Sequence, residues 1–236
     1  MKKSAIIWAS EDFDDDDNDD VQVHPETRLV QLMGNITDRS AIDVVMGLRG
    51  IEGTGLGPIA FEIYSNGGSL RAGMIIHDVM KELYSPVCTI GYGVCASMAA
   101  MLLASGDPGH RYLSPSAKVM IHAPTACIQS DFSPESLEDT LNIFKQDYDI
   151  GLKLLSAYTG QRKSKIKSDL KKDKWMSAKE AIKYGLADKL LTHAGGMYAK
   201  TLVKPPLSSY LEEIEITGCE DSADEPAQQS PSTYSI

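Results

Sequence analysis

The chain has 236 residues, of which 42% are hydrophobic and 24% charged, values typical of a globular protein with one well-buried domain and appendages. Its net charge is −10, but eight of residues 11–20 are Asp or Glu, and residues 209–236 contain no Lys or Arg. The body between these ends is slightly basic without a coherent basic stripe, which excludes nucleic acid as an obligate partner. No apolar run approaches about 18 residues, so a transmembrane helix and a membrane partner are excluded as well.

The four cysteines, Cys88, Cys95, Cys127 and Cys219, have neither metal-ligand spacing nor the pattern of a disulfide framework. We therefore expect no metal and no cofactor, and a reducing, cytoplasmic location. The opening residues resemble a signal peptide, but their apolar stretch is too short and an acidic block follows it.

Composition divides the chain into three parts. Residues 1–24 form an acidic segment that we expect to be disordered. Residues 25–200 have the hydrophobic patterning of a folded domain. Residues 201–236 are rich in Pro, Ser and acids, and we expect a mostly disordered tail.

The first half of the domain alternates strand and helix patterns. Asp38 is the predicted cap of the first helix, and a Gly-Gly turn follows the second strand. The predicted elements are a strand at Arg28–Met33, a helix from Asp38 to about Gly50, a strand at Ile59–Tyr64, a helix at Leu70–Tyr84, a strand at Val87–Tyr92 and a helix at Met98–Ala104.

The second half adds two short strands, a long helix and a capped helix near the end. The alternation predicts an α/β fold with a largely parallel sheet. The long helix exceeds what the flank of a compact sheet needs, which favours an arm that projects toward another subunit. The predicted elements are strands at Arg111–Leu113 and Lys118–Ile121, a long helix from Ser133 to Tyr158, a basic helix at Arg162–Lys172, a helix opened by the capping box of Ser177 and Glu180, and a last strand at Leu186–Leu191.

Ser97 lies among small residues at the predicted start of the Met98–Ala104 helix. A serine at this position is usually an N-cap, whose hydroxyl accepts a backbone N–H. The alanines at 96, 99 and 100 also suit a hydroxyl that a ligand must reach. The positive end of the helix dipole would favour negative charge developing there. The local sequence leaves cap and nucleophile both open.

His122 is the histidine that ends a predicted strand, where functional groups of α/β folds collect. A structural, hydrogen-bonded histidine is the alternative. A carboxylate that orients this histidine would come from Asp169 or Asp173, which spacing alone does not distinguish. The turn Gly67-Gly68 could aim a backbone N–H at a ligand, or simply connect a strand to a helix.

Five motifs occur in one order along the chain. Together they resemble the proteolytic subunit of the Clp protease, a self-compartmentalising serine peptidase, over about residues 28–193. The order of serine, histidine and aspartate matches that family rather than the α/β-hydrolases, whose acid precedes the histidine. The motifs are Asn66-Gly-Gly-Ser-Leu-Arg-Ala-Gly-Met, Gly93-Val-Cys-Ala-Ser-Met-Ala, Val119-Met-Ile-His-Ala-Pro, Lys172-Asp-Lys-Trp-Met-Ser-Ala-Lys-Glu-Ala and Tyr184-Gly-Leu-Ala-Asp.

The resemblance implies a role for each residue that matches a motif. Ser97 would be the nucleophile, His122 the general base and Asp173 the orienting acid. The backbone N–H groups of Gly68 and Met98 would form the oxyanion hole. The implied activity is endopeptidase cleavage of unfolded proteins or peptides.

The resemblance also implies a spiral fold of ββα units, shared with crotonases. A handle helix at about residues 131–159 would interdigitate two stacked homo-oligomeric rings, usually heptamers, around a closed chamber. The active sites would face the inside of that chamber.

The sequence departs from the family pattern in four places, one of which is a segment about two residues longer than is typical between His122 and the basic helix. The turn Tyr64-Ser-Asn-Gly-Gly lacks a proline, and Lys172 stands where an arginine commonly helps to lock the rings together. The acidic block replaces the axial loop that contacts an AAA+ unfoldase in the family. The sequence therefore does not decide whether this protein has an AAA+ unfoldase as a partner. Long acidic ends also resemble the peptidases that process phage capsids during head maturation. A crotonase-like acyl-CoA enzyme and a catalytically silent ring subunit remain as alternatives.

Overall fold

The computed structural model describes residues 20–55, 57–125 and 134–191, all within one compact unit that spans residues 1–202. These residues form eight strands, six α-helices and a short 3-10 turn. The strands are β1 (Val21–His24), β2 (Leu29–Leu32), β3 (Ile59–Ser65), β4 (Val87–Ala96), β5 (Arg111–Leu113), β6 (Lys118–Ile121), β7 (Lys174–Ser177) and β8 (Lys189–Leu190); the helices are α1 (Asp38–Glu52), α2 (Leu70–Glu82), α3 (Met98–Ala104), α4 (Pro134–Thr159), α5 (Lys163–Asp169) and α6 (Ala178–Tyr184).

The strands form one mixed sheet in the order β1-β2-β3-β4-β5-β8, with β6 joined to both β4 and β7. The five strands from β2 to β8 run parallel, and so do β4 and β6. Only β1 with β2 and β6 with β7 pair antiparallel among the described strands. The predicted α/β class with a largely parallel sheet is confirmed.

Strand β4 is longer than predicted because its glycines do not end it. Its first part pairs with β5, and its last three residues, Val94–Ala96, pair with β6. Gly93 has φ +49° and packs against the ring of Tyr64, so a side chain at this bend would clash. The register with β3 also shifts at this point. The bend therefore carries the end of β4 away from β5 and toward β6.

Helices cover one face of the sheet and bury the main hydrophobic core there. All seven residues of α3 are buried, which explains why its alanines are small. The opposite face carries a smaller cluster without a described helix residue. Among the described residues, the largest fully buried side chains include Phe61, Ile63, Leu48, Ile76, Leu102 and Leu103.

Arg111 at the start of β5 connects the ends of three helices. One guanidinium nitrogen, Nη1, donates to the carbonyls of Ala104, Tyr158 and Gly185 at the C-terminal ends of α3, α4 and α6. The other two nitrogens donate to the carboxylate of Asp188 at 2.6 and 3.0 Å. Because the last carbonyls of a helix have no intrahelical donor, one side chain satisfies an orphan group in each helix.

Two predictions for the N-terminal part of the domain are also wrong. Residues 21–24 belong to strand β1, not to the disordered segment predicted for residues 1–24, because their backbone pairs antiparallel with β2; the neighbouring acids obscured their alternation of valine and polar residues. Thr37, rather than Asp38, caps α1, because its hydroxyl and that of Ser40 form a reciprocal capping box. Residues 1–19 and the predicted tail at 201–236 lie outside the described residues. In the described part of the chain, no helix is long and apolar enough to cross a membrane.

Candidate active site

Ser97 is the single residue between strand β4 and helix α3. It occupies the N-cap position of α3, but its side chain makes no capping hydrogen bond. Its backbone has φ +57° and ψ −122°, a conformation that costs about 1–3 kcal/mol for a residue with a side chain. The hydroxyl is thus held out of the helix, unlike those of the capping residues Thr37, Ser69 and Ser177.

The Gly67-Gly68 turn packs directly against Ser97. A methyl group on Gly67 would lie 2.7 Å from Cβ of Ser97 and 2.8 Å from the carbonyl oxygen of Ala96. The φ of Gly67 is +99°, so both the space and the backbone conformation require glycine here. The turn predicted after strand β3 therefore forms one wall of the site.

The pairing of β4 with β6 brings His122 to Ser97. Ala96 lies opposite Met120 in the parallel register, and the N–H of Ser97 continues the ladder to the carbonyl of Met120 at 2.8 Å. His122 follows the end of β6, and its Nε2 lies 2.8 Å from the Ser97 Oγ. This is hydrogen-bond distance between a hydroxyl and a ring nitrogen.

The antiparallel pairing of β6 with β7 brings Asp173 to the other side of the same imidazole. Ile121 lies opposite Lys174, so the residue after β6 faces the residue before β7. Oδ1 of Asp173 lies 3.5 Å from Nδ1 of His122, and the Asp173 side chain is 64% exposed. The contact is longer than a well-formed hydrogen bond.

Asp169, the other candidate acid, has different partners. Its carboxylate accepts from Lys165 at 2.7 Å, from the Tyr184 hydroxyl at 2.9 Å and from Lys174 at 3.3 Å. Burial raises the pKa of Asp169, but these three hydrogen bonds outweigh it and hold that pKa below its usual range. Asp169 thus anchors α5 to α6 and β7, and the pairing register, which sequence spacing does not reveal, brings Asp173 to His122.

The N–H groups of Gly68 and Met98 are both directed away from regular secondary structure. Gly68 forms an isolated parallel bridge with Ile36, in which Gly67 and Ser69 make the two hydrogen bonds. In such a bridge the N–H of the central residue points to the opposite side. Met98 is the first residue of α3, where an N–H has no helical acceptor. Neither N–H donates to a described backbone or side-chain acceptor, so both can serve a ligand.

These groups open into one cavity of about 720 Å³. Sequence reasoning missed its far wall, a stripe on helix α4 that includes Asp147, Tyr148 and Gly151. The signal was present as residues spaced three and four apart, but the long helix was interpreted only as an arm toward another subunit. The lining comprises Asn35, Ile36, Thr37, Asn66, Gly67, Gly68, Ser69, Leu70, Ser97, Met98, Met101, Met120, Ile121, His122, Pro124, Thr125, Asp147, Tyr148, Gly151, Leu152, Leu155 and Leu170.

The other described histidines lie outside this cavity. His24 bonds to Gln31, and the buried His77 lies between Asp78 and the Tyr158 hydroxyl. Across the described ranges, no three His, Cys, Asp or Glu side chains are grouped to hold a metal ion.

Comparison with known proteins identifies the family to which the chain belongs. The sequence model of the Clp protease family matches residues 14–194. The ATP-dependent Clp protease proteolytic subunit 2 of Thermobifida fusca (strain YX) is 40% identical over 136 residues, which are 57% of this chain and 66% of that protein. The alignment thus spans slightly less than two thirds of the relative's length. The chain belongs to the Clp protease family, a family of serine peptidases.

Proposed function

We propose that this protein is a serine endopeptidase that cleaves peptide bonds through an acyl-enzyme. The observation that carries the proposal is the 2.8 Å contact between the Ser97 Oγ and the His122 Nε2, made by a serine whose hydroxyl is not used as a helix cap. A structural serine at a helix start would be expected to cap it. Here the strained backbone instead directs the hydroxyl to His122, the proposed general base.

In the proposed mechanism, Ser97 Oγ attacks the carbonyl carbon of a peptide bond while His122 Nε2 takes its proton. His122 then gives that proton to the leaving amine, and the C–N bond breaks to leave the acyl group on Ser97. Water, activated by the same nitrogen, attacks the acyl ester and releases the second product with a free serine. Asp173 would hold the Nδ1 proton of His122 and stabilise the imidazolium.

The proposed oxyanion hole consists of the N–H groups of Gly68 and Met98. Both N–H groups border the cavity beside Ser97, and neither donates a hydrogen bond to an acceptor among the described residues. Donors fixed before the reaction stabilise the developing oxyanion without reorganisation, and loss of one such donor costs roughly 10²–10³ in kcat. The alternative crotonase-like use of these groups, on a thioester enolate, is less consistent with membership of a peptidase family.

We further propose that the protein works as stacked homo-oligomeric rings, with heptamers as the expected form. Helix α4 has 26 residues and is therefore about 39 Å long. It exposes large apolar side chains at Leu141, Ile143 and Ile150, which contact with another copy would cover. Assembly would also limit the exposure of Asp173 and shorten its contact with His122. A catalytically silent ring subunit would keep the long contact.

Unfolded proteins or peptides are the proposed substrates, since a closed chamber excludes folded ones. The relative from Thermobifida fusca is named ATP-dependent, and an AAA+ unfoldase would be the corresponding partner. A phage head-maturation role differs in substrate, which would be a capsid protein. Hydrolysis of unfolded casein in the presence and absence of an unfoldase, beside hydrolysis of a capsid protein, separates the two settings.

The proposed function is tested by peptide hydrolysis with wild type, Ser97→Ala and His122→Ala. Both substitutions are expected to abolish hydrolysis, while native mass spectrometry shows the same ring as wild type. Retained hydrolysis in Ser97→Ala would refute the nucleophile, and a stable monomer in all three proteins would refute the ring.

A further inference from the structure

One side of the catalytic cavity is a stripe on helix α4. Asp147, Gly151 and Leu155 follow one another at intervals of four residues, so they lie on the same face, one turn apart. Tyr148 and Leu152 fill the adjacent row. The stripe runs from partly exposed residues at Asp147 to buried ones at Leu155, which is 6% exposed.

Asp147 is the one carboxylate that lines the cavity among the described residues, and no described Lys or Arg lines it. The side chain is half-buried. It forms no hydrogen bond or ion pair with any described residue, whereas Asp43, Asp169 and Asp188 all have cationic partners. Asp147 is therefore a negative charge on the cavity wall that a cation entering the cavity can pair with.

The position of Asp147 relative to Ser97 follows from the contact between α3 and α4. Met101 lies one turn after Ser97, and its Cε is 3.9 Å from the place that a side chain on Gly151 would take. Asp147 lies one turn before Gly151 in α4, about 6 Å away by the helical rise. Ser97, Met101, Gly151 and Asp147 line the same cavity, and we call the part of it that Met101 and Gly151 border, between the nucleophile and the carboxylate, the passage.

Gly151 keeps this passage wide. A Cβ at this position would make only the one ordinary contact with Met101, so the glycine leaves open space where most residues would place a side chain. The passage thus accepts a long side chain with an apolar stem and a charged end. Lysine and arginine have this form, since their methylene groups pack on apolar surface while the cation reaches a polar site.

We propose that Asp147 is a specificity-determining residue that selects a lysine or arginine on the acyl side of the cleaved bond. This inference rests on the proposed function. If Ser97 attacks the carbonyl carbon of a peptide bond, the residue that carries this carbonyl lies beside Ser97, and its side chain is the one that can enter the passage. The stem of that side chain packs against Met101 and Leu152, and its cation pairs with Asp147. A leucine in the same place leaves the carboxylate unpaired, and a glutamate is repelled by it.

The test compares three fluorogenic peptides that differ only in the residue before the cleaved bond, which is lysine, norleucine or glutamate. Wild type is expected to cleave the lysine peptide roughly three- to tenfold more efficiently in kcat/KM than the norleucine peptide, and the glutamate peptide least. Asp147→Asn removes the preference for lysine, and Asp147→Lys shifts it to glutamate. Asp149→Asn, which removes an exposed carboxylate two residues away that does not line the cavity, is the matched control and keeps the wild-type ranking.

A binding experiment separates this inference from the proposed function. The same three peptides, with a fluorescent label, are titrated onto Ser97→Ala, and onto Ser97→Ala with Asp147→Asn, and anisotropy is measured. The inference is supported if the lysine peptide binds more tightly than the other two and this preference is lost with Asp147→Asn. If wild type then hydrolyses none of the peptides, only the proposed function is refuted. Equal binding of the three peptides, or a lysine preference that survives Asp147→Asn, overturns the inference.

Discussion

The choice of Asp173 over Asp169 as the orienting acid leads to a crossed prediction. Asp173→Asn removes the charge 3.5 Å from His122 Nδ1. At that distance, two unit charges interact by about 1 kcal/mol in bulk water and about 5 kcal/mol at an effective dielectric constant near 20. Because Asp173 is 64% exposed, a loss of about 2 kcal/mol in transition-state stabilisation is expected, which corresponds to a roughly 30-fold lower kcat.

Asp169→Asn has the opposite profile. It weakens hydrogen bonds from Lys165, Lys174 and Tyr184, so it lowers the free energy of unfolding by about 1 kcal/mol and leaves kcat within about twofold of wild type. Steady-state peptide hydrolysis and urea unfolding, measured on both variants, read the two effects separately. If Asp169→Asn lowers kcat more than Asp173→Asn does, the assignment of the acid is wrong.

Three further predictions concern stability. Arg111→Met removes the charged partner of Asp188 and the side-chain donor to three helix-end carbonyls, so urea unfolding should show a loss of about 3 kcal/mol; a loss below about 1 kcal/mol would contradict this role. Burial raises the pKa of Asp188, but hydrogen bonds from Arg111 and from the Gly109 N–H hold it below the ordinary 3.8. This lowered pKa adds stability above about pH 4, and that stability is lost as the pH falls. Asp188→Asn should therefore make the melting temperature depend less on pH in the acid range. An unchanged dependence would refute this prediction. Gly151→Ala has room for its Cβ and should raise the free energy of unfolding by up to about 1 kcal/mol, whereas a lower melting temperature would show that α4 packs more tightly there.

Hydrophobic periodicity predicted most elements, because helices such as α1 and α2 bury one regular stripe. Helix α3 and strands β5 and β6 have the predicted bounds, and the capping box of Ser177 and Glu180 forms as expected. The misses lie where tertiary pairing overrides local signals. Strand β7 was not predicted, because Lys174–Ser177 is short and becomes a strand only by pairing with β6. The predicted last strand, Leu186–Leu191, is reduced to Lys189–Leu190.

In the candidate site too, local sequence predicted some features, and tertiary structure decided the others. Local sequence left Ser97 open between cap and nucleophile, since both readings place a serine at a helix start. The unused capping bond and the strained φ are conformational facts that no spacing encodes. Likewise, the register of the β6–β7 pairing decides that Asp173, and not Asp169, lies beside His122. Asp147 lines the site because α4 packs on α3. The catalytic roles of Ser97, His122 and Asp173 stay predictions.

The most direct test of the account is active-site labelling of the assembled wild-type protein with a fluorophosphonate. Peptide mapping by mass spectrometry is expected to find the adduct on Ser97 alone, with none in Ser97→Ala and a strongly reduced rate in His122→Ala. An adduct on a different serine, or labelling of equal extent in Ser97→Ala, would contradict the claim that Ser97 is the nucleophile of a peptidase.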